Sequence, residues 1–228
     1  MLHIEGNGLI ASGIQGLDVQ TPVLIHAAGV SNSKCHEQEA FDKDRKRLLR
    51  SLQKDTPLVY ISSYFCGVKG IQSPYYQHKR ALEQLVLTRS PHHLVIRLPQ
   101  VVGRGGNPNN LINFFRTKIS KGETILCYRD ALRNLVAIED IRTAILFCIR
   151  QKITGVCSFV APFSYSPKEI VEMLAHLMRA EVSIELADAP EVETILSFQR
   201  SSNLAKLVSQ SDHYGRAQYL EYICRRGS

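Results

Sequence analysis

Residues 59–98 contain a strand, a loop, a helix and a second strand in close succession, and this order constrains the fold more than any other part of the chain. The apolar run at Val59–Ile61 ends in paired hydroxyls at Ser62 and Ser63. A loop punctuated by Gly and Pro follows, and the next segment, QHKRALEQLVL, has the polar and apolar periodicity of an amphipathic helix. The run at His93–Leu98 has the pattern of a buried strand. This alternation predicts an α/β fold.

Tyr75 and Lys79 stand one helical turn apart at the start of the predicted helix. Positions i and i+4 share a helix face, so the Lys79 ammonium can approach the Tyr75 phenol. A nearby cation favours phenolate, and we therefore expect a pKa of Tyr75 below its usual value of about 10. Such a phenol is a candidate general acid or base, and a serine at the end of the preceding strand could hold a substrate oxygen against it.

The run YISS…SPYYQHKRALEQLV…HLVIRLPQVVG resembles the extended short-chain dehydrogenase/reductase superfamily, the branch of nucleotide-sugar epimerases and dehydratases. The resemblance implies a Rossmann-like, doubly wound, mostly parallel sheet and an NAD or NADP cofactor. It also implies that Tyr75 moves the proton of a sugar hydroxyl, that Lys79 lowers the Tyr75 pKa and holds the nicotinamide ribose, and that Ser63 binds the reacting oxygen. Ser62 is the second candidate for that serine role. A nucleotide-sugar substrate and a role in surface polysaccharide biosynthesis are the corresponding functional expectations.

The Gly-rich start of the chain is the predicted cofactor loop. A short apolar strand, Leu2–Ile4, precedes a GxGxxA pattern and a short helix, a context in which glycines admit a phosphate to free backbone N–H groups. Pro22–Ser33, with the sequence PVLIHAAGVSNS, resembles the fourth strand of the superfamily and the loop after it. The cofactor-binding candidates implied by these similarities are Gly6, Asn7, Gly8, Leu9, Ile10, Ala11, Ala27, Ala28, Gly29 and Pro99.

The chain departs from the superfamily between the first helix and Pro22, where there is no room for the second and third family strands. Those strands carry the residue that reads the adenosine ribose. A direct strand–helix–strand crossover remains feasible, and it leaves the Leu2–Ile4 strand at a sheet edge. Three alternatives follow: weak or unusual dinucleotide binding, completion of the pocket by a second subunit in a homodimer, or loss of cofactor use.

Two further departures concern the chemistry. Glu37–Leu52 is a predicted amphipathic helix on which relatives carry an asparagine that supports the active site, but here Phe41, Asp42 and Asp44 lie near that place. Dehydratases place an acidic pair directly after the strand-end hydroxyl. Tyr64-Phe65 stands there instead, so dehydration is disfavoured.

The substrate side is predicted from the region after Pro99. Asn110 and Leu111 resemble a family contact to the nucleotide or sugar, although an asparagine at this point can equally cap the helix at Leu111–Ser120. Arg133 stands where relatives hold the substrate pyrophosphate, which a guanidinium fork suits, although a surface ion pair is an equal alternative. Asp140, at a helix start, is interpreted as structural.

Composition excludes several other classes. The net charge of +7 is spread along the chain without a recognised nucleic-acid-binding motif, the histidines lack metal-ligand spacing, and no apolar run approaches a membrane span. We therefore expect no nucleic acid, metal or membrane partner and a cytoplasmic location. The expected division is an abridged Rossmann-like domain at residues 1–160 and a small substrate lobe at 161–228. A non-catalytic or regulatory ligand-binding scaffold is the alternative to an enzyme.

Overall fold

A computed structural model of the chain describes residues 1–105, 110–188 and 215–227. Two compact units are present: unit 1 comprises Met1–Pro99 and Ile141–Phe159, and unit 2 comprises the described parts of Gln100–Asp140 and Val160–Ser228. Gly106, which the sequence places in the loop after Pro99, lies outside the described residues.

Helices and strands alternate along most of the described chain. In order they are β1 (Leu2–Glu5), α1 (Leu9–Gly13), β2 (Val23–His26), α2 (Gln38–Leu52), β3 (Leu58–Ser63), a 3₁₀ turn (Tyr64–Gly67), α3 (Pro74–Arg89), β4 (Leu94–Leu98), β5 (Gln100–Val102), α4 (Leu111–Ser120), β6 (Ile125–Tyr128), β7 (Arg133–Ala137), α5 (Ile138–Arg150), β8 (Gly155–Ser158), β9 (Ser164–Tyr165), α6 (Pro167–Met178), β10 (Ile184–Ala187) and α7 (Arg216–Arg226).

Unit 1 is built on a parallel sheet with the strand order β1-β2-β3-β4-β8. Strands β2 and β3 are buried along nearly their whole length, as expected for a parallel sheet with both faces covered. The predicted α/β fold with a parallel central sheet is confirmed. Strand β1 pairs directly with β2 and lies at the sheet edge, which confirms the expected position of this strand.

Helices α2 and α3 pack against the sheet of unit 1 through one apolar cluster. Burial of each Leu or Val side chain in such a cluster stabilises the fold by about 1.5–3 kcal/mol. The fully buried members come from two helices and three strands, and they are Leu24, Leu48, Leu58, Tyr60, Leu82, Val86 and Val95.

The short connection between α1 and β2 is held from α5. The Arg142 guanidinium donates hydrogen bonds to the backbone carbonyls of Gly13, Gln15 and Gly16. These carbonyls belong to the end of α1 and to the turn after it, where a helix leaves its last acceptors without intrahelical donors. Ile14 and Leu17 are buried beside them. The connection between α1 and β2 is therefore a defined turn with two buried apolar side chains.

Unit 2 contains two small sheets, with the strand orders β5-β7-β9 and β10-β6, together with α4, α6 and α7. The Asn134 side chain ties β7 to the segment before β9 by donating to the carbonyls of Ala161 and Phe163 and accepting from the Ala161 N–H. Helix α6 begins with a capping box between Ser166 and Glu169.

The described ranges contain no helix long and apolar enough to cross a membrane. They also contain no group of three or more His, Cys, Asp or Glu side chains that could hold a metal ion.

Candidate active site

Tyr75 and Lys79 lie on α3, whose start is fixed by its own sequence. Ser73 caps the helix by accepting a hydrogen bond from the Tyr76 N–H at 3.4 Å, and Pro74 occupies the first turn, where its missing N–H costs nothing. Tyr75 and Lys79 are both buried, with 7% and 4% of their surfaces exposed. The two side chains therefore share the sheet-facing side of α3, as the i, i+4 spacing predicts.

The Lys79 ammonium is directed to Tyr60 of β3 and to Asp44 of α2. Its Nζ donates to the Tyr60 hydroxyl at 3.2 Å and lies 3.8 Å from Asp44 Oδ2. It also lies 5.4 Å from the centre of the Tyr60 ring, within cation–π range. An ammonium has three N–H donors, so these contacts leave it able to donate to a bound ligand.

The expected lowering of the Tyr75 pKa is wrong. Burial raises the pKa of the Tyr75 phenol above its ordinary value, with smaller contributions in the same direction from Tyr76 and Cys66. The physical reason is that burial disfavours the charged phenolate, and the Asp44 carboxylate acts in the same direction. At neutral pH, Tyr75 is a protonated phenol and a potential proton donor.

The two serines at the end of β3 have different surroundings. Ser62 is 6% exposed and donates to Glu83 Oε1 at 2.6 Å. Arg97 of β4 holds the same carboxylate, with Nη2 2.6 Å from Oε2 and Nε 3.0 Å from Oε1. Ser63 is half-buried and is the last residue of the strand. The Ser62 hydroxyl is thus engaged inside the fold, which favours Ser63 for a substrate contact.

Sequence reasoning missed the polar residues behind the site. Glu83 follows Lys79 by one helical turn and lies on the same face of α3, so its spacing was a usable signal. Tyr60 was read only as part of an apolar strand, although alternation along β3 places it on one face of the sheet. Arg97 in the middle of an apolar strand was a further signal, because a buried charge requires a partner.

Asp44 is the buried polar residue of α2. It is 3% exposed, and its Oδ2 accepts from the Val30 N–H at 3.3 Å and lies 3.0 Å from His78 Nε2. Burial alone would raise the pKa of the Asp44 carboxyl, but the His78 hydrogen bond and the Lys79 charge bring it below its ordinary value. The carboxyl is therefore ionised at neutral pH.

The cofactor candidates lie where the strands of the parallel sheet end. Gly6 follows β1, Ala27–Gly29 follow β2, Ser63 ends β3 and Pro99 follows β4. The carboxyl ends of parallel strands meet at one sheet edge, which is where open α/β sheets bind ligands.

The loops after β1 and β2 approach each other closely at this edge. Gly6 has φ +134°, and a Cβ there would lie 2.8 Å from the Ala27 carbonyl carbon, so the β1 and β2 loops touch through backbone. Gly8 precedes α1 in an extended conformation, no side chain caps the helix, and space is open where its Cβ would stand. Leu9, Ile10 and Ala11 form the start of α1, and the contact of this stretch and Asn7 with an anion stays a prediction.

Gly6→Ala is expected to lower the free energy of unfolding by about 2–3 kcal/mol, because the new Cβ meets backbone and φ is unfavourable for an L side chain. Gly8→Ala is the matched control, since its φ of −81° is ordinary and its Cβ would meet no atom within 4 Å. We expect that control to stay within about 1 kcal/mol of the parent. Urea unfolding of both variants measures the difference, and equal losses would contradict the close approach at Gly6.

The predicted substrate residues all lie in unit 2. Asn110 caps α4 by accepting from the Asn113 N–H at 2.9 Å, which accounts for its residue type without a ligand. Leu111 is the first residue of that helix. Arg133 opens β7 and donates to the Leu132 carbonyl at 3.2 Å. Their contacts with a substrate stay predictions.

Comparison with known proteins gives a family for the middle of the chain. The NAD dependent epimerase/dehydratase family matches residues 54–158. This range contains β3, α3, β4 and β8, and with them Ser63, Tyr75 and Lys79. No curated protein sequence shows a significant match.

Solved structures resemble the chain at low sequence identity. RMD from Pseudomonas aeruginosa, in complex with NADPH, has a TM-score of 0.72 at 17% identity, over 99% of this chain and 98% of that one. The dTDP-glucose 4,6-dehydratase of Bacillus anthracis, in complex with NAD, has a TM-score of 0.68 at 19% identity, over 90% and 71%.

A third similar structure is the UDP-glucose-4-epimerase of Stenotrophomonas maltophila, with bound NAD and formylated UDP-arabinopyranose. Its TM-score is 0.69 at 16% identity, over 90% of this chain and 74% of that one. The resemblance found in the sequence is therefore confirmed: residues 54–158 match the NAD dependent epimerase/dehydratase family, and the chain has the Rossmann-like fold of the extended short-chain dehydrogenases/reductases in an abridged form.

Proposed function

We propose that the protein is an NAD(P)-dependent epimerase or reductase that acts on a nucleotide sugar through Tyr75, Lys79 and Ser63. The observation that carries this is the carboxyl edge of the unit 1 sheet: Gly6–Ala11 follow β1, Ser63 ends β3, and α3 supplies a buried Tyr and Lys. The substrate class rests on the nucleotide sugars handled by the similar enzymes.

The cofactor would be held mainly by backbone N–H groups and by the Lys79 ammonium. The Gly6–Ala11 loop offers N–H groups to the pyrophosphate, and Ala27–Gly29 and Pro99 offer small or rigid surfaces beside it. The remaining donor of the Lys79 ammonium suits the hydroxyls of the nicotinamide ribose. When bound, the nicotinamide supplies or accepts a hydride at a sugar carbon.

Tyr75 then exchanges the proton of the reacting oxygen, and the Ser63 hydroxyl orients that oxygen. Because burial keeps the pKa of Tyr75 above its ordinary value, the phenol is protonated at neutral pH. A protonated phenol suits donation to a carbonyl oxygen, which is the reductive direction. Reduction of a keto sugar is therefore the half-reaction that these residues favour.

The biological setting is inferred from the substrate class alone. A nucleotide sugar modified in this way would serve surface polysaccharide biosynthesis in the cytoplasm. A homodimer in which a second subunit completes the adenosine half of the pocket is the expected assembly if dinucleotide binding is tight, and sedimentation with and without NADPH would measure it.

A non-catalytic, ligand-binding scaffold is the second candidate, and one observation favours it. Strand β1 lies at the sheet edge, so the strands that relatives place beside it have no counterpart in unit 1 as described. A dinucleotide would then make fewer contacts on its adenosine side, and affinity for the intact cofactor would fall.

Two measurements on the purified protein separate these candidates. We expect NADH or NADPH to bind saturably in a fluorescence titration and to be oxidised when UDP-, dTDP- or GDP-linked keto sugars are added. Gly8→Ala, which places a methyl group in the open space of the loop, should weaken binding about tenfold while the protein stays folded. Binding without turnover of any of these sugars would favour the scaffold. If neither dinucleotide binds, both cofactor use and the enzymatic function are refuted.

A further inference from the structure

A carboxylate and an imidazole lie behind Lys79 and are unused by the chemistry proposed above. Asp44 Oδ2 is 3.8 Å from Lys79 Nζ and 3.0 Å from His78 Nε2. The side chains of Asp44 and Lys79 are 1% and 5% exposed, and that of His78 is 10% exposed. Three ionisable groups therefore meet inside unit 1, between α2 and α3.

Packing fixes the Asp44 carboxylate on its other side. Gly29 has φ +125°, and a Cβ built there would lie 2.5 Å from Asp44 Oδ1. The carboxylate thus lies directly against the backbone of the β2 loop, and Oδ2 also accepts from the Val30 N–H of that loop. Oδ1 accepts no hydrogen bond from the part of the chain that the structure describes. Asp44 consequently joins the β2 loop, Ala27–Val30, to the lysine.

The imidazole of His78 is equally restrained. Its ring stacks on Phe41 of α2, with centroids 4.5 Å apart and planes tilted by 21°. An ionised carboxylate can only accept, so Nε2 must carry the hydrogen and donate it to Asp44. Phe41 and Asp44 lie one turn apart on α2, so a single helix face holds both the ring and its hydrogen-bond acceptor.

Electrostatics explains why Lys79 needs this arrangement. A buried ammonium without a counter-charge loses its proton, because desolvation disfavours the charged form. Burial lowers the pKa of Lys79, whereas the Asp44 carboxylate raises it as the largest opposing influence. The other titratable groups around this cluster are His26 of β2, Tyr60 of β3, Cys66 of the 3₁₀ turn, and Tyr75 and Glu83 of α3.

We propose that Asp44 is the positioning residue of this site: supported by His78 and the Val30 N–H, it keeps the Lys79 ammonium charged and directed toward Tyr60, beside the β2 loop. This inference rests on the proposed function only where it concerns the cofactor. The pairing of Asp44 with Lys79 can be tested without any ligand.

The first test is a double-mutant cycle in urea unfolding with Asp44→Asn, Lys79→Met and the double variant, and with Asp42→Asn as the control on the exposed side of α2. Asp44→Asn should lower the folding equilibrium constant about 30-fold or more, because it leaves a buried ammonium without its counter-charge. The double variant should be at least about tenfold more stable than the product of the single effects predicts. If the effect of the double substitution on the folding equilibrium constant equals the product of the two single effects to within about twofold, the pairing of Asp44 with Lys79 is overturned. This outcome does not depend on any ligand.

The second test uses NADPH affinity and its pH dependence, which a purely structural Asp44 would not change. With Asp44 replaced by Asn, the pKa of Lys79 loses its raising influence, so the lysine becomes neutral as the pH rises. NADPH affinity of that variant should therefore fall at least about fivefold between about pH 6 and pH 9, while the parent and Asp42→Asn change less.

The outcomes of the two tests are distinguishable. A pH dependence of NADPH affinity that is the same for Asp44→Asn and the parent would refute the positioning role. If the parent binds no NADPH, the proposed function fails, and the folding cycle alone decides whether Asp44 keeps Lys79 charged. In that case strong coupling would support the charged pair and multiplicative effects would refute it.

Discussion

Tyr75→Phe is expected to lower kcat for nucleotide-sugar reduction at least about 100-fold, with little change in NADPH affinity or stability. Loss of a positioned general acid costs about 10²–10⁴ in rate. The substitution removes only a hydroxyl from a ring that is 7% exposed and packs edge-on against Tyr76 at 4.9 Å. Steady-state oxidation of NADPH, with a parallel NADPH titration and thermal unfolding, measures all three quantities.

Tyr76→Phe provides the control for this prediction. Tyr76 is the next residue on the same helix, is half-buried and loses the same hydroxyl. We expect it to keep kcat within about threefold of the parent, because it is not the residue at the i−4 position from Lys79. Equal kcat values for the parent and Tyr75→Phe would show that the proton comes from another group.

The difference in burial between Tyr75 and Tyr76 was predictable from the sequence, because it depends only on the order of residues along one helix. The pattern from Val59 to Lys79 specifies a strand, a loop and a helix, and a 3.6-residue period decides which face Tyr75 and Lys79 share. The edge position of β1 was predictable for a similar reason, since the short segment before Pro22 leaves no room for another strand.

The direction of the Lys79 side chain could not be predicted from local sequence order. Its partners are Asp44 and Tyr60, which lie on a different helix and on a strand and come together only after the sheet is assembled. Helical spacing indicated that Lys79 could reach Tyr75, but it carried no information on competing partners. The expected pKa of Tyr75 was wrong because burial of the phenol raises it, and the Asp44 carboxylate raises it further.

The choice between Ser62 and Ser63 also depends on partners that come together only after the sheet is assembled. The sequence put Ser63 first and Ser62 second only through the family resemblance, because alternation along a strand shows that they face opposite sides of the sheet but not what each side contains. Glu83 accepts a hydrogen bond from the Ser62 hydroxyl, and Arg97 holds the same carboxylate, which favours Ser63 for a substrate contact. Because Glu83 holds both Ser62 and Arg97, we expect the stability of the fold to depend strongly on its carboxylate.

Glu83→Ala is accordingly expected to lower the free energy of unfolding by about 3–5 kcal/mol, the range for breaking a buried ion pair from one side. The carboxylate is 5% exposed and the Arg97 guanidinium 21%, so removal of Glu83 leaves a largely buried cation and the Ser62 hydroxyl without their acceptor. Urea unfolding at neutral pH measures the loss. Glu39→Ala, which removes an exposed partner of Lys43 on α2, should cost no more than about 0.5 kcal/mol.

A second measurement distinguishes loss of the hydrogen-bonded network of Ser62, Glu83 and Arg97 from a simple packing defect: the unfolding free energies of the Ser62 and Glu83 variants should not be additive. If Ser62 is engaged by Glu83, Ser62→Ala should destabilise the parent by about 1 kcal/mol and the Glu83→Ala variant by much less, because the hydrogen bond is already gone. Identical costs of Ser62→Ala in the two backgrounds, or a loss below about 1 kcal/mol for Glu83→Ala itself, would mean that the carboxylate does not organise the end of β3. Ser62 would then be as good a candidate as Ser63 for binding the substrate oxygen, because the preference for Ser63 rests on the hydrogen bond between Ser62 and Glu83.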